Sequence, residues 1–125
     1  MLWSPGSFKA ASQRERRAVI GRGGCGAGDG LGDRLVPDTM WGLSVQPACE
    51  IHDWMYAKGR SIEDKKQADG VFLDNLLRII DAGTSSWVLR KLRRRRARTY
   101  YLSVKYFGGP AFWDATASGM ESREE

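Results

Sequence analysis

The stretch PACEIHDWMYAKGRSIEDKKQADGVFLDNLLRIIDAG, residues 47–83, decides how this chain folds. Pro47 suits the first turn of a helix, where its missing N–H leaves no bond unmade, and nothing breaks the run to about Ala57 before Gly59. Ser61 then stands at an N-cap position, with Glu63 and Asp64 in the first turn to complement the helix dipole. Phe72, Leu73, Leu76, Leu77 and Ile80 recur at helical spacing up to about Asp81, ahead of Gly83, which makes this the clearest amphipathic helix in the chain. The pattern predicts two antiparallel helices joined by the short Gly59–Ser61 link.

Working outward, a third helix is expected from Thr84–Ser86 to about Phe107, with Ala97, Tyr100, Tyr101 and Val104 on one face and Gly108-Gly109-Pro110 ending it. Trp87, Tyr100, Tyr101, Phe107, Phe112 and Trp113 read as core rather than interface. Upstream, residues 21–33 hold seven of the 15 glycines and form a loop whose backbone needs positive φ or close approach to a ligand. Residues 34–46 look irregular. Residues 1–20, basic in balance, read as an arm or short amphipathic helix ahead of the core, and 114–125 as a frayed polar tail. No repeat and no alternating stretch long enough for a major strand is present. The expected fold is mainly α: two antiparallel helices, a third helix and a glycine-rich loop, in one domain over residues 21–113.

Composition narrows the function classes. A chain of 125 residues with 42% hydrophobic and 28% charged residues has enough apolar material for one core, too little length for several domains and too much apolarity for disorder. No stretch approaches the roughly 18 apolar residues of a membrane span, and Met1-Leu2-Trp3-Ser4-Pro5-Gly6 lacks the pattern of a secretory signal. The net charge of +5 favours an anionic partner, and charge alone does not choose among nucleic acid, lipid surface and acidic polymer. With one histidine, His52, sites built on two or three imidazoles are excluded. Cys25 and Cys49 with His52 and a carboxylate lack the paired spacing usual for zinc.

Laid on the first helix, Cys49, His52, Asp53 and Tyr56 fall three and four apart and act as neighbours along one side. On the second, Asp69 precedes Phe72, Leu73, Leu76 and Ile80 by three, four, seven and eleven, which turns its carboxylate toward the core. A buried charge needs a partner, and His52 is the natural one. An imidazole held by Asp69 through one nitrogen keeps the other for taking a proton from water. Asp53 points elsewhere and, with a glycine loop turning carbonyl oxygens inward, makes the hard-oxygen donor set that Ca²⁺ prefers.

At this point the residues resemble a known family. Cys49-Glu50-Ile51-His52-Asp53-Trp54-Met55-Tyr56 is similar to the Cys-x-x-His-Asp-x-x-Tyr helix of phospholipase A2 enzymes, and Gly24-Cys25-Gly26-Ala27-Gly28 to their calcium loop. Ala68-Asp69 resembles the Ala-Asp on the following helix of the compact bacterial, phage and parvoviral members. The likeness spans about residues 23–80. It implies that His52 is the general base, that Asp69 orients it, and that Tyr56 supports Asp69 by hydrogen bonding. It implies Ca²⁺ on the Asp53 carboxylate and the carbonyls of Gly24, Gly26 and Gly28, with the Gly26 N–H as an oxyanion donor. It also implies a disulfide between Cys25 and Cys49.

The chain departs from the family pattern in offering at most one disulfide, in Gly24 where an aromatic residue is common, and in Asp29 where glycine is frequent. The family's second supporting tyrosine is not placed, with Tyr100, Tyr101 and Tyr106 as candidates. Leu2, Trp3, Leu31, Trp41 and Trp54 are candidates for lipid contact. Gly21-x-Gly23-x-x-Gly26 matches a nucleotide fingerprint without the strand and helix that give the fingerprint meaning. A Cys49–His52 thiol dyad would leave the glycine loop unexplained.

The basic run Arg90–Arg98 contains no acid and suits anionic phospholipid headgroups or nucleic-acid phosphates. No stacking platform or recognition motif supports sequence-specific reading of nucleic acid, so lipid ranks first. The expectation is a calcium-dependent hydrolase of the sn-2 ester of glycerophospholipids. The alternatives are a non-catalytic relative binding membrane or protein, and a basic nucleic-acid-associated or phage structural protein.

Overall fold

The computed structural model describes residues 2–20 and 39–113. Two short helices, α1 (Gly6–Ala10) and α2 (Gln13–Ile20), precede a hairpin of two-residue strands, β1 (Thr39–Met40) and β2 (Leu43–Ser44). Three longer helices follow: α3 (Gln46–Lys58), α4 (Ile62–Gly83) and α5 (Trp87–Phe107). A further helical turn covers 109–113. The mainly helical expectation holds, and α3, α4 and α5 lie within a residue or two of where the spacing predicts them. The glycine-rich segment 21–33 and the tail 114–125 lie outside the described residues.

Local chemistry accounts for the helix starts. Pro47 occupies the first turn of α3. At α4, Ser61 Oγ accepts from the Asp64 N–H (3.2 Å), while Asp64 Oδ2 accepts from the N–H groups of Ser61 (3.1 Å) and Arg60 (2.8 Å). This closed capping box satisfies donors that would otherwise be orphaned. Ser86 caps α5 in the simpler way, accepting from the Leu89 N–H.

The hairpin was not anticipated, because two-residue strands leave no alternation to read. Its turn places Trp41 at φ 48° and Gly42 at φ 83°, the left-handed pair that matches strand twist. Glycine takes that conformation freely, whereas tryptophan is held in it. Its carbonyl accepts from Arg93 Nη2 (2.7 Å), and the Arg96 guanidinium sits 5.6 Å from its ring centre.

The main core is shared by the hairpin and all three long helices. Met40, Val45, Cys49, Phe72, Leu76, Ile80, Ala97, Tyr100 and Val104 are buried together. The helical turn at 109–113 buries Phe112 in a smaller cluster with Tyr56 and Ala68, where it meets the Tyr56 ring edge-on at 5.1 Å. Gly59 makes room for it, since a Cβ there would lie 2.5 Å from the Phe112 ring.

Segment 2–20, read as an arm or short amphipathic helix, forms α1 and α2 and is fastened to the core, and one expectation about the aromatic residues needs correction. Asn75, fully buried on α4, accepts from the Trp3 N–H (2.8 Å) and donates to the Trp3 carbonyl (2.9 Å). Phe8 packs edge-on to Trp54 with ring centres 5.6 Å apart. Of the aromatic residues assigned to the core, Tyr100 and Phe112 are buried, whereas Trp87 (75% exposed), Phe107 (62%) and Trp113 (49%) face solvent. Trp87 and Phe107 are the first and last residues of α5, and neither is on its buried face of Arg93, Ala97, Tyr100 and Val104.

Candidate active site

His52 and Tyr56 stand one turn apart on α3, and Asp69 lies on the buried side of α4. The Gly59–Ser61 connection is short enough to keep the two helices in contact, and the apolar stripe of α4 turns Asp69 toward α3. There His52 Nε2 lies 2.8 Å from Asp69 Oδ1, and the Tyr56 hydroxyl donates to the same oxygen at 2.6 Å. The three residues are between 2% and 6% exposed, so the cluster is nearly dry. The sequence paired His52 with Asp69, the resemblance added Tyr56, and the structure brings the three together.

Burial makes an ionised Asp69 costly, and its hydrogen bonds reverse that cost. Desolvation alone would raise its pKa, but bonds from His52, Lys65 and Tyr56 hold it below the ordinary carboxylate range. A carboxylate only accepts, so His52 must donate through Nε2, which leaves the Nδ1 lone pair unprotonated. Burial also lowers the His52 pKa, the Lys65 charge adds to that, and Asp69 opposes it. The ring is therefore neutral near neutral pH and able to take a proton. Burial and the bond to Asp69 push the Tyr56 hydroxyl far up, so it remains a donor. The Phe72 and Tyr56 rings flank the imidazole at centre distances of 4.6 and 4.1 Å and limit its tilt.

One member of the cluster was missed. Lys65, 5% exposed, donates to Asp69 Oδ2 (2.7 Å) and to the carbonyls of Val104 (2.9 Å) and Lys105 (3.3 Å). These three acceptors use all three ammonium protons, and the two carbonyls belong to the last turn of α5, where a cation offsets the helix dipole. Tyr100 is buried in the core, Tyr106 is exposed, and neither of them nor Tyr101 bonds to Asp69. The signal was present in the sequence, because Lys65 precedes Asp69 by four and so shares its helix face.

Asp53 is half-buried at the next position along α3 from His52. Its carboxylate is a hard oxygen donor, right in kind for Ca²⁺. Gly24, Gly26, Gly28 and Asp29 lie outside the described residues, and among the described residues no group of three or more His, Cys, Asp or Glu side chains could hold a metal ion. Cys49 is buried in the main core at 2% exposure, while Cys25 is outside the described residues.

The lipid-contact candidates divide. Trp54 is 3% exposed and donates from Nε1 to Ser7 Oγ at 3.1 Å, so it is a core residue. Leu2 is partly buried against the same cluster, Trp3 and Trp41 are 38% and 52% exposed, and Leu31 is outside the described residues. Among the described residues no helix is long and apolar enough to cross a membrane. No protein-family model matches the sequence, and neither a curated protein nor a solved structure is significantly similar to it.

Proposed function

We propose that this chain is a calcium-dependent phospholipase A2-type hydrolase that cleaves the sn-2 ester of glycerophospholipids. The observation that carries the reading is the buried His52–Asp69–Tyr56 cluster, in which the Asp69 carboxylate meets His52 at Nε2 and so favours the tautomer whose Nδ1 can accept a proton. It is supported by the resemblance of residues 23–80 to the phospholipase loop and helix. On this reading α3 and α4 are the antiparallel active-site pair, and the loop around Gly24–Gly28 is the calcium loop.

His52 Nδ1 accepts a proton from a water molecule as that water adds to the ester carbonyl. Asp69 holds the ring in the required tautomer and stabilises the imidazolium that forms. Collapse breaks the bond between the acyl carbon and the glycerol oxygen, and His52 returns its proton to that oxygen. A fatty acid and a lysophospholipid leave. Tyr56 and Lys65 keep Asp69 ionised and fixed throughout. Asp53 and the carbonyls of Gly24, Gly26 and Gly28 would hold Ca²⁺, which when bound anchors the lipid phosphate and stabilises charge developing on the ester oxygen. A Cys25–Cys49 disulfide would tether the loop to α3 and is tested by thiol labelling with and without reductant.

Fatty-acid release from phospholipid vesicles tests the proposal. The expected result is turnover that needs Ca²⁺, stops on chelation and falls by about 10²–10⁴-fold or more in His52→Gln. Absence of turnover in every condition would leave a binding module on the same scaffold.

A further inference from the structure

The arginine-rich helix α5 carries eight Lys and Arg side chains and no acid. The structure divides them in two. Arg90 and Arg94 face Asp81, with Arg94 donating at 2.7 Å and Arg90 lying 3.9 Å away. Arg93 is buried and donates to Thr84 Oγ1 (2.8 Å) and the Trp41 carbonyl (2.7 Å), and Arg96 sits over the Trp41 ring. These four fasten α5 to the rest of the fold. Lys91, Arg95, Arg98 and Lys105 point outward, and among the described residues no carboxylate pairs with any of them.

The outward four do not stand alone. Val88, Leu92, Arg95, Thr99, Leu102 and Tyr106 follow one another at alternating steps of four and three, which draws a straight stripe along the helix. The stripe is opposite the buried face of Arg93, Ala97, Tyr100 and Val104. Its apolar members are well exposed: Val88 50%, Leu92 44%, Leu102 47% and Tyr106 67%. Lys91, Arg98 and Lys105 follow at intervals of seven along one edge of it.

We infer that this outer face of α5 is a docking surface for anionic phospholipid bilayers, with the aliphatic stripe entering the headgroup boundary and Lys91, Arg95 and Arg98 meeting lipid phosphates. Two features select that occupant. A second copy seated on the stripe would set arginine against arginine with no acid on either helix to relieve it. A nucleic acid would satisfy the cations but give Val88, Leu92 and Leu102 nothing apolar to enter. An anionic bilayer offers both chemistries at once, and tryptophan and tyrosine at the helix ends suit its interface. The inference deepens the hydrolase reading and rests on it for the identity of the substrate surface.

The test is co-sedimentation of the full chain with vesicles in EDTA, so that binding is read without turnover. The wild-type chain should bind phosphatidylglycerol-containing vesicles far better than pure phosphatidylcholine. The triple variant Lys91→Gln, Arg95→Gln, Arg98→Gln should bind roughly a hundredfold more weakly, following the usual contribution of a basic residue near an anionic surface. The matched triple Arg17→Gln, Lys66→Gln, Arg78→Gln, with equal charge loss on other helices, should stay close to wild type. Leu92→Gln with Leu102→Gln should cost roughly tenfold or more on vesicles while leaving retardation of duplex DNA unchanged. Equal losses in both triples would overturn the inference, since attraction would then be a matter of net charge. So would tight DNA binding with vesicle affinity indifferent to the leucine pair, or a dimer that the leucine pair dissolves. Docking without hydrolysis in Ca²⁺ would sink the hydrolase reading and leave the docking face standing.

Discussion

Charge is concentrated in two regions of this molecule, and they work in opposite ways. The cluster around Asp69 holds few charges, all nearly dry, each hydrogen-bonded to a named partner. The outer face of α5 holds a longer row, exposed and bordered by water. Buried charges interact through low dielectric and are expensive to strand, whereas exposed ones are screened and replaceable. Counting charges along the sequence would rank the α5 run first, and burial reverses that order for stability.

That contrast can be broken most directly at Lys65. Lys65→Met leaves Asp69 Oδ2 without its cation and frees two α5 carbonyls, and is expected to cost about 3–5 kcal/mol in denaturant unfolding. A loss below about 1 kcal/mol would mean that water enters the cluster and the contrast is false.

Acid sharpens the same point. The folded pKa of Asp69 is depressed, so the unfolded chain binds its proton more readily. Its stabilising contribution is fully present above the unfolded carboxylate value, about 4, and is lost as pH falls through the lower folded value. The stability gap between wild type and Asp69→Asn should therefore narrow on acidification below about pH 4, as read from thermal melts. A gap that widened there would reverse the assigned direction.

The α5 run supplies its own internal comparison. Arg93→Leu strands Thr84 Oγ1 and the Trp41 carbonyl, and an expected cost of about 1–3 kcal/mol would appear in the same melts. Its neighbour Arg95, turned outward, should change stability by no more than about 0.5 kcal/mol when replaced by Gln. Equal effects at the two positions would mean that the helix is rotated from the orientation described.

Adjacent arginines in one unbroken run differ this much because only rotation about the helix axis separates them. The run's composition was legible, but the division of its roles was not. Elsewhere the sequence read well where a local rule governed. Ser61 with Asp64, Pro47 and the Phe72–Ile80 stripe mark helix starts and faces through bonds between near neighbours. The Asp69–His52 pair was legible because a carboxylate on an apolar stripe demands a partner and the chain has one histidine. Lys65 escaped notice because an i, i+4 lysine and aspartate on a surface helix is commonplace. Only the end of α5, closing over them, turns that pair into a buried one. Trp87 and Phe107 were misread because large aromatic residues usually find cover, and neither belongs to the face of α5 that packs inward.

By itself the sequence determined the three long helices, the Ser61 cap and the pairing of His52 with Asp69, since each follows from spacing along a helix or from a short connection. Tertiary structure alone decided that Lys65 completes the cluster, that segment 2–20 is locked through Asn75, and that half of the α5 cations face outward. Those outcomes join residues from about 40 to more than 70 positions apart, and no periodicity within a helix reports which distant surface will close over it.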